Sequence, residues 1–192
     1  MKIGIITFHF PYNCGAFLQC AALKTFLEKN GNQVEVINYR PWYHQNIYTV
    51  YANPWQTARE KFRKKDDNDY LAKRFARASY NFAKVIKSWF FHKEKSKQND
   101  LFEPMQKKYL NETMVYRSLR QLKKNPPLCD VYICGSDQLW NTVLTDGKAD
   151  KAYFLDFGEN IRKMSYGVGV YFKEEPENAG ELGRLLDRKS VV

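Results

Sequence analysis

The stretch from residue 128 to residue 141 reads LCDVYICGSDQLWN, and it predicts a buried strand followed by a polar site. Val131 to Cys134 is a short apolar run between Pro126-Pro127 and Gly135, which is typical of a buried strand. Small and polar side chains follow at once. Because open α/β sheets bind ligands outside the carboxyl ends of their strands, this change of chemistry indicates a site.

The polar half of the stretch offers groups that suit a hydroxylated ligand. Gly135 allows a tight exit from the strand and a close backbone approach. Asp137, Gln138 and Asn141 can form hydrogen bonds with hydroxyls or an amine. Trp140 offers a flat face for a sugar ring. The alternative is a plain turn, in which Asp137 caps the next helix by binding backbone N–H groups.

Four strand-like segments predict an α/β fold with a Rossmann-like parallel sheet flanked by helices. They are residues 2–7, 33–39, 130–135 and 163–168. The first is a near-continuous apolar run, as expected in a parallel sheet that is covered on both faces. A helical pattern separates the first two segments, which is the order of a parallel β–α–β unit.

The helical segment between the first two strands has an apolar stripe with Leu18, Ala22 and Phe26 four residues apart, and Ala21, Leu23 and Leu27 widen it. A loop that contains Asn13 and Gly15 precedes it. Backbone N–H groups at a helix N-terminus bind phosphate and other polar groups, so this loop is placed for phosphate or sugar binding. Asn13 can also be the N-cap of the helix, and the two roles are compatible.

Length and charge indicate a single domain that carries a basic insertion. The chain has 192 residues, enough for one domain with a sizeable core. Residues 41–125 are expected to form a basic, aromatic helical insertion, in which residues 56–92 are helical with Phe75 and Phe82 packed on the apolar side. The net charge of +10 is concentrated in this insertion. It is either a solvated helical face or a surface for nucleic acid, anionic lipid or phosphate.

The cysteines and the hydropathy pattern predict a reduced, cytoplasmic protein without a metal site. The spacings of Cys14, Cys20, Cys129 and Cys134 do not fit a common zinc pattern. Cys20 and Cys134 are expected to be buried thiols, and Cys14 lies in a polar loop. There is no apolar run of about 18 residues to span a membrane and no signal-peptide pattern.

Four motifs resemble those of the polysaccharide pyruvyl transferase family. Residues 135–141, GSDQLWN, resemble its GSDQ-hydrophobic-WN signature, and residues 13–19, NCGAFLQ, resemble its N-terminal motif. Residues 153–157, YFLDF, and the pair Ser165-Tyr166 resemble two further family segments. The chain departs from the family at Gly167-Val168-Gly169, where small Ala or Ser residues are usual.

The resemblance implies a fold, a reaction and a set of site residues. The fold is one half of a GT-B-like pair of Rossmann-like domains. The reaction transfers a pyruvyl group from phosphoenolpyruvate to a saccharide as a ketal, in cell-surface polysaccharide biosynthesis and without a cofactor. Asp137 is the candidate base, and His9 is a second catalytic candidate. The implied substrate-binding residues are Asn13, Gly15, Gln19, Gly135, Ser136, Gln138, Trp140 and Asn141.

The resemblance also implies partners. In the family, the groups that hold phosphoenolpyruvate are largely assigned to a second domain, so residues 1–192 are expected to be the N-terminal half and inactive alone. The acceptor saccharide can be lipid-linked. We therefore expect the protein at the inner face of the membrane, with its basic insertion in peripheral contact with anionic lipid.

Two other classes of protein stay open. The first is a non-catalytic binding module whose basic aromatic insertion docks anionic lipid or nucleic acid. Aromatic and basic residues together suit single strands, but no nucleic-acid recognition motif is present. The second is a degenerate or partner-dependent enzyme half that binds sugar and turns nothing over alone.

Overall fold

The structure is a computed structural model, and it describes residues 1–9, 13–41, 43, 55, 62, 71–90, 102–145, 148–172, 179–187 and 190–191. Its strands are β1 (Lys2–Ile6), β2 (Gln33–Val36), β3 (Val131–Asn141), β4 (Arg162–Tyr171) and β5 (Ser190–Val191). Its helices include α1 (Cys14–Lys29), α2 (Leu71–Phe90), α3 (Leu119–Lys124) and α4 (Ala179–Asp187).

The strands form one parallel sheet in the order β2-β1-β3-β4-β5. The predicted parallel α/β sheet is thus confirmed, and β5 adds a strand to the four that were predicted. The chain winds outward from β1 to β2 and then returns to place β3 on the other side of β1. The strand order therefore reverses between β1 and β3, which is the point where sheets of this kind bind their ligands.

Both faces of the sheet are covered. Successive residues of a strand point to opposite faces, and successive residues of β1 and β3 enter different apolar clusters. Ile5 and Ile133 lie in one cluster. Ile6 and Tyr132 lie in another, which is the largest in the structure. Burial on both faces explains why these strands read as continuous apolar runs.

Two strands continue beyond their predicted ends. Gly135 to Asn141 remain in β3 and pair with β4, with a register shift between Asp137 and Trp140. The alternative of a turn in which Asp137 caps a helix is therefore wrong. β4 likewise runs on to Tyr171, past its predicted end at residue 168. The polar segment is held by strand pairing rather than left as a loop.

Helix α1 packs the predicted Leu23 and Leu27 against the sheet but leaves the centre of the predicted stripe exposed. Leu18 and Phe26 are 59% and 64% exposed, whereas Phe17 and Lys24 are buried. The Phe17 ring packs edge-on against the rings of Phe102 and Tyr109. The ammonium group of Lys24 meets the carboxylate of Glu28 at 2.7 Å. The stripe was misplaced because a lysine with a buried stem interrupts the apolar pattern of the true inner face.

The chain divides into two compact units. One contains Met1–Tyr43 and Phe102–Val192, and the other is His44–Leu101. The second unit lies within the predicted insertion, residues 41–125. Residues 102–125 belong instead to the sheet unit, where Glu112 and Tyr116 bridge Val36 and Tyr39. The interpretation of the chain as a single Rossmann-like domain stays a prediction.

In the second unit, the predicted helix over residues 56–92 is confirmed for Leu71–Phe90; nearly all of the rest of that range lies outside the described residues. The predicted packing of its apolar side is only partial. The Phe75 ring lies 4.8 Å from the Phe62 ring, and the Phe82 ring lies 5.0 Å from the Trp55 ring. Phe75 nevertheless remains 56% exposed.

The cysteines are free thiols, of which Cys14 is exposed and the others are buried, as predicted. Burial and the nearby charge of Glu112 raise the pKa of Cys20 to about 12, so this thiol is unreactive near neutral pH. In the part of the chain that the structure describes, no helix has the length and hydropathy needed to cross a bilayer.

Candidate active site

Thr7 follows β1 directly and joins three elements of the candidate site. Its hydroxyl donates a hydrogen bond to the carbonyl oxygen of Ser136, at 2.8 Å. The same hydroxyl accepts a hydrogen bond from Nε2 of Gln19 on α1, at 2.9 Å. Thr7 is fully buried. The end of β1, the polar part of β3 and α1 therefore meet at the carboxyl edge of the sheet, where the strand order reverses.

Asn13 is the N-cap of α1, as one of its two predicted roles requires. Its side-chain oxygen accepts a hydrogen bond from the backbone N–H of Gly15, at 2.9 Å. A Cβ on Gly15 would lie 3.3 Å from that oxygen, which is a tight contact. Both residues are exposed. The first turn of α1 is thus fixed by the cap and remains open to a ligand.

Asp137 is held in an unusual backbone conformation within β3. Its φ is 141°, a value that L-residues rarely adopt, and such conformations cluster at functional sites. One carboxylate oxygen accepts a hydrogen bond from the backbone N–H of Gln138, at 2.7 Å. Burial raises the pKa of the Asp137 carboxyl, and this hydrogen bond offsets only part of the rise. The carboxylate is therefore a better proton acceptor than an exposed aspartate.

Gln138 and Asn141 form a pair of amides beside Asp137. Nδ2 of Asn141 donates to Oε1 of Gln138 at 2.8 Å, and its Oδ1 accepts from the backbone N–H of Val143 at 3.0 Å. Gln138 is exposed, so its amide can meet a ligand. The pair is held at a fixed separation, which suits recognition of neighbouring hydroxyl groups.

Glycines on β4 keep the polar part of β3 unobstructed. A Cβ on Gly169 would lie 3.4 Å from Cα of Gln138, and one on Gly167 would lie 3.3 Å from Oγ of Ser136. Gly167 also has a φ of 57°, in the left-handed region that favours glycine. This gives a physical reason for the Gly-Val-Gly sequence, which departs from the resembled family.

Trp140 does not present the free face that was predicted for a sugar ring. Its indole is 7% exposed and stacks on the Phe154 ring, with centroids 5.0 Å apart and planes at 20°. Its Nε1–H donates to the carbonyl oxygen of Tyr153, at 3.0 Å. The register shift in β3 turns this side chain into the core. In this structure Trp140 supports the site and does not line it.

His9 is completely buried, so the structure places it behind the site. Its Nδ1 lies 3.0 Å from the carbonyl oxygen of Thr7, and its Nε2 lies 3.2 Å from a carboxylate oxygen of Glu112. Both ring nitrogens therefore lie beside acceptor oxygens, one of the backbone and one of a carboxylate. Burial raises the pKa of Glu112, but the hydrogen bond and charge of His9 and the charge of Arg40 outweigh it, and the net pKa is lowered.

We expect Glu112→Gln to lower the free energy of unfolding by about 2 kcal/mol at pH 7, because the buried His9 ring and the Arg40 guanidinium lose their carboxylate partner. The loss should shrink in acid. A carboxyl whose folded pKa is lowered stabilises the protein above its unfolded pKa of about 4.3, and that contribution disappears as the pH falls through the folded value. Urea unfolding at pH 7 and at lower pH measures both effects.

A matched control for this prediction is Glu181→Gln. The Glu181 carboxylate meets Lys151 at 2.6 Å but is 44% exposed, compared with 15% for Glu112. Exposed ion pairs contribute about 0–1 kcal/mol. Equal losses in the two variants, or a Glu112→Gln loss that does not change with pH, would show that the buried pair does not stabilise the fold as described.

Sequence reasoning missed Thr7, Glu112 and two exposed tyrosines on β4. Tyr166 pairs in register with Gly135, and Tyr171 pairs with Asn141. They are 48% and 55% exposed, so these rings, rather than Trp140, offer aromatic surface along the polar part of β3. Tyr166 belongs to the Ser165-Tyr166 pair that resembles a family segment, but its position beside β3 follows only from the strand pairing.

The fold and the site together define a class: a Rossmann-like α/β unit with a polar, carboxylate-bearing site where its strand order reverses. A family model described as polysaccharide pyruvyl transferase matches residues 13–192, and the chain belongs to that family. No curated protein and no solved structure matches the chain.

Proposed function

We propose that the protein transfers the pyruvyl group of phosphoenolpyruvate to a saccharide acceptor as a ketal, in the biosynthesis of a cell-surface polysaccharide. Family membership supports the reaction class. The observation that carries the proposal is Asp137, a half-buried carboxyl with a raised pKa at the reversal point of the sheet. A base for a sugar hydroxyl works best when its pKa approaches the working pH.

The reaction consists of two additions at one carbon. A proton adds to the methylene carbon of phosphoenolpyruvate and gives a methyl group beside an oxocarbenium-like centre. One sugar hydroxyl adds to that centre and loses its proton. A second hydroxyl then forms the other C–O bond as the C–O bond to phosphate breaks, and the proton of this hydroxyl leaves with the inorganic phosphate. Asp137 is assigned to remove the hydroxyl proton, since its second carboxylate oxygen is not used by the bond to Gln138.

The acceptor is proposed to lie over the polar part of β3. The exposed Gln138 amide is available to its hydroxyls, and Tyr166 provides an aromatic face. Oε1 of Gln19 is buried and has no hydrogen-bond partner among the described residues. Because this oxygen is enclosed, Gln19 is assigned to hold Thr7 in place beneath the acceptor rather than to contact the acceptor directly.

The donor needs positive charge that the assigned residues do not supply. Phosphoenolpyruvate carries a phosphate and a carboxylate, and both require cations or N–H donors. The assigned residues bring a carboxylate, amides and hydroxyls, while the His9 ring is buried against Glu112. We propose that a further domain contributes the donor-binding cations and closes the cleft, so that residues 1–192 alone bind acceptor but do not turn over.

The test is release of inorganic phosphate from phosphoenolpyruvate in the presence of nucleotide-linked and lipid-linked sugars. It is run on residues 1–192 and on the longest form of the protein that the same gene encodes. We expect phosphate release that depends on the acceptor in a form with the donor-binding domain, and ketal formation on the sugar by mass spectrometry. Release without an acceptor, or no release with any acceptor, would contradict the proposal.

A further inference from the structure

The second unit carries an amphipathic surface, which we call the α2 surface: Leu71–Phe90 with Trp55 and Phe62. The helix contains five Lys or Arg residues and no Asp or Glu. Its charge is therefore of one sign over its whole length. A helix with large apolar side chains on one side and only basic charges elsewhere is typical of helices that lie on lipid surfaces.

The apolar side of the α2 surface is exposed. Trp55, Leu71 and Phe75 are 75%, 62% and 56% exposed. They do not stand alone, because the Phe62 ring contacts Phe75 edge-on and the Trp55 ring contacts Phe82 in the same manner. A group of large apolar side chains that pack on one another and still face solvent marks an interaction surface.

Three of the five basic side chains lie on the side of the helix opposite to the apolar one, whereas the Arg74 guanidinium lies over the Phe62 ring, 4.7 Å from its centroid. Leu71 and Phe75 are four residues apart and share one face, whereas Lys73, Lys84 and Lys87 fall on the other and are exposed. A single-stranded nucleic acid binds through rings that stack on its bases beside cations that neutralise its phosphates, but here only Tyr80 shares the side of the three lysines, and the exposed apolar cluster lies on the other side. A bilayer fits the observed arrangement, since the apolar side enters the headgroup boundary and the long basic side chains extend from the polar side towards anionic headgroups.

We propose that the α2 surface docks the protein on an anionic lipid bilayer, with Trp55, Leu71 and Phe75 inserted at the level of the headgroups. Trp is favoured at that depth because its ring is apolar and its N–H is polar. The inference rests on the second unit alone. It does not depend on the proposed transferase activity, and either can fail without the other.

The experiment is co-sedimentation of the whole chain with vesicles of phosphatidylcholine, alone or mixed with phosphatidylglycerol. We expect binding to the mixed vesicles only, and a steep fall in affinity between about 0.05 M and about 0.5 M salt, over which screening of charges becomes strong. Trp fluorescence should shift to shorter wavelength on binding, because Trp55 leaves water. Equal binding to neutral vesicles, or binding to neither, would overturn the proposal.

Two variants assign the binding to the α2 surface. Leu71→Glu places a carboxylate in the first turn of the helix, where the helix dipole favours it, so the fold is kept. We expect it to lower vesicle affinity about tenfold or more, since an apolar side chain no longer inserts. Lys84→Glu with Lys87→Glu should lower it about 25-fold or more, from the loss of two basic groups near the surface.

The matched controls are Leu128→Glu and Lys124→Glu, both in the sheet unit. Leu128 is 84% exposed and Lys124 is exposed, so these variants make the same Leu→Glu and Lys→Glu substitutions at exposed positions outside the α2 surface. They should leave vesicle affinity within about twofold of the parent. Circular dichroism checks that each variant keeps its helix. Equal losses in the control and α2 variants, or tighter binding to a single-stranded oligonucleotide than to anionic vesicles, would overturn the assignment to lipid.

Discussion

Replacing Asp137 by Asn is expected to lower the rate of acceptor-dependent phosphate release by about 10²–10⁴-fold in the active form of the protein, the range for loss of a positioned base. Asn has the same shape and can keep the hydrogen bond from the backbone N–H of Gln138. It cannot take a proton. Binding of the acceptor should change little, so the loss is expected in kcat rather than in KM.

The pH profile separates loss of a base from loss of structure. Burial raises the pKa of Asp137, and a base acts when it is deprotonated. The rate of the parent protein should therefore rise with pH through that raised pKa, and Asp137→Asn should lack this limb. Asp187→Asn, on an exposed carboxylate of α4, is the control and should retain both rate and profile. If Asp137→Asn keeps the parent rate and profile, Asp137 is not the base.

The apolar runs were enough to predict the sheet, but they could not predict how far its strands extend. Residues 2–7 and 131–134 are predicted as strands because parallel strands buried on both faces need apolar side chains throughout. Gly135 to Asn141 lack that pattern and still form strand, because their backbone groups pair with β4. That pairing is a long-range contact, and no local feature of the sequence reports it.

The candidate site could be proposed from the sequence but not assembled from it. The change from apolar to polar residues after a strand predicts a site at the carboxyl edge of the sheet, where the strand order reverses. The sequence does not predict which side chains of β3 face the core. Simple alternation would bury only one of Leu139 and Trp140, but both are buried after the register shift. Thr7 is a similar case, because its role arises from hydrogen bonds to β3 and α1, which are distant in sequence.

Replacing Gly135 by Ala is expected to have the largest effect on stability. A Cβ at this position would lie 1.9 Å from the carbonyl oxygen of Tyr166, much closer than non-bonded atoms approach. Its φ of 142° is also one that L-residues rarely adopt. Since the obstacle is backbone, β3 and β4 must separate in the middle of the sheet. We expect the free energy of unfolding to fall by more than about 4 kcal/mol, or the protein not to fold.

Gly180→Ala adds the same methyl group in the first turn of α4, where it meets no atom of a described residue within 4 Å beyond its own helix. It should be neutral or raise the free energy of unfolding by up to about 1 kcal/mol, because alanine is the better helix former. Urea unfolding compares the two variants with the parent, and the β-sheet signal in circular dichroism should be lost only in Gly135→Ala. Parent-like unfolding of Gly135→Ala would mean that the close contact between Gly135 and Tyr166, on which the position of Asp137 depends, is not present in solution.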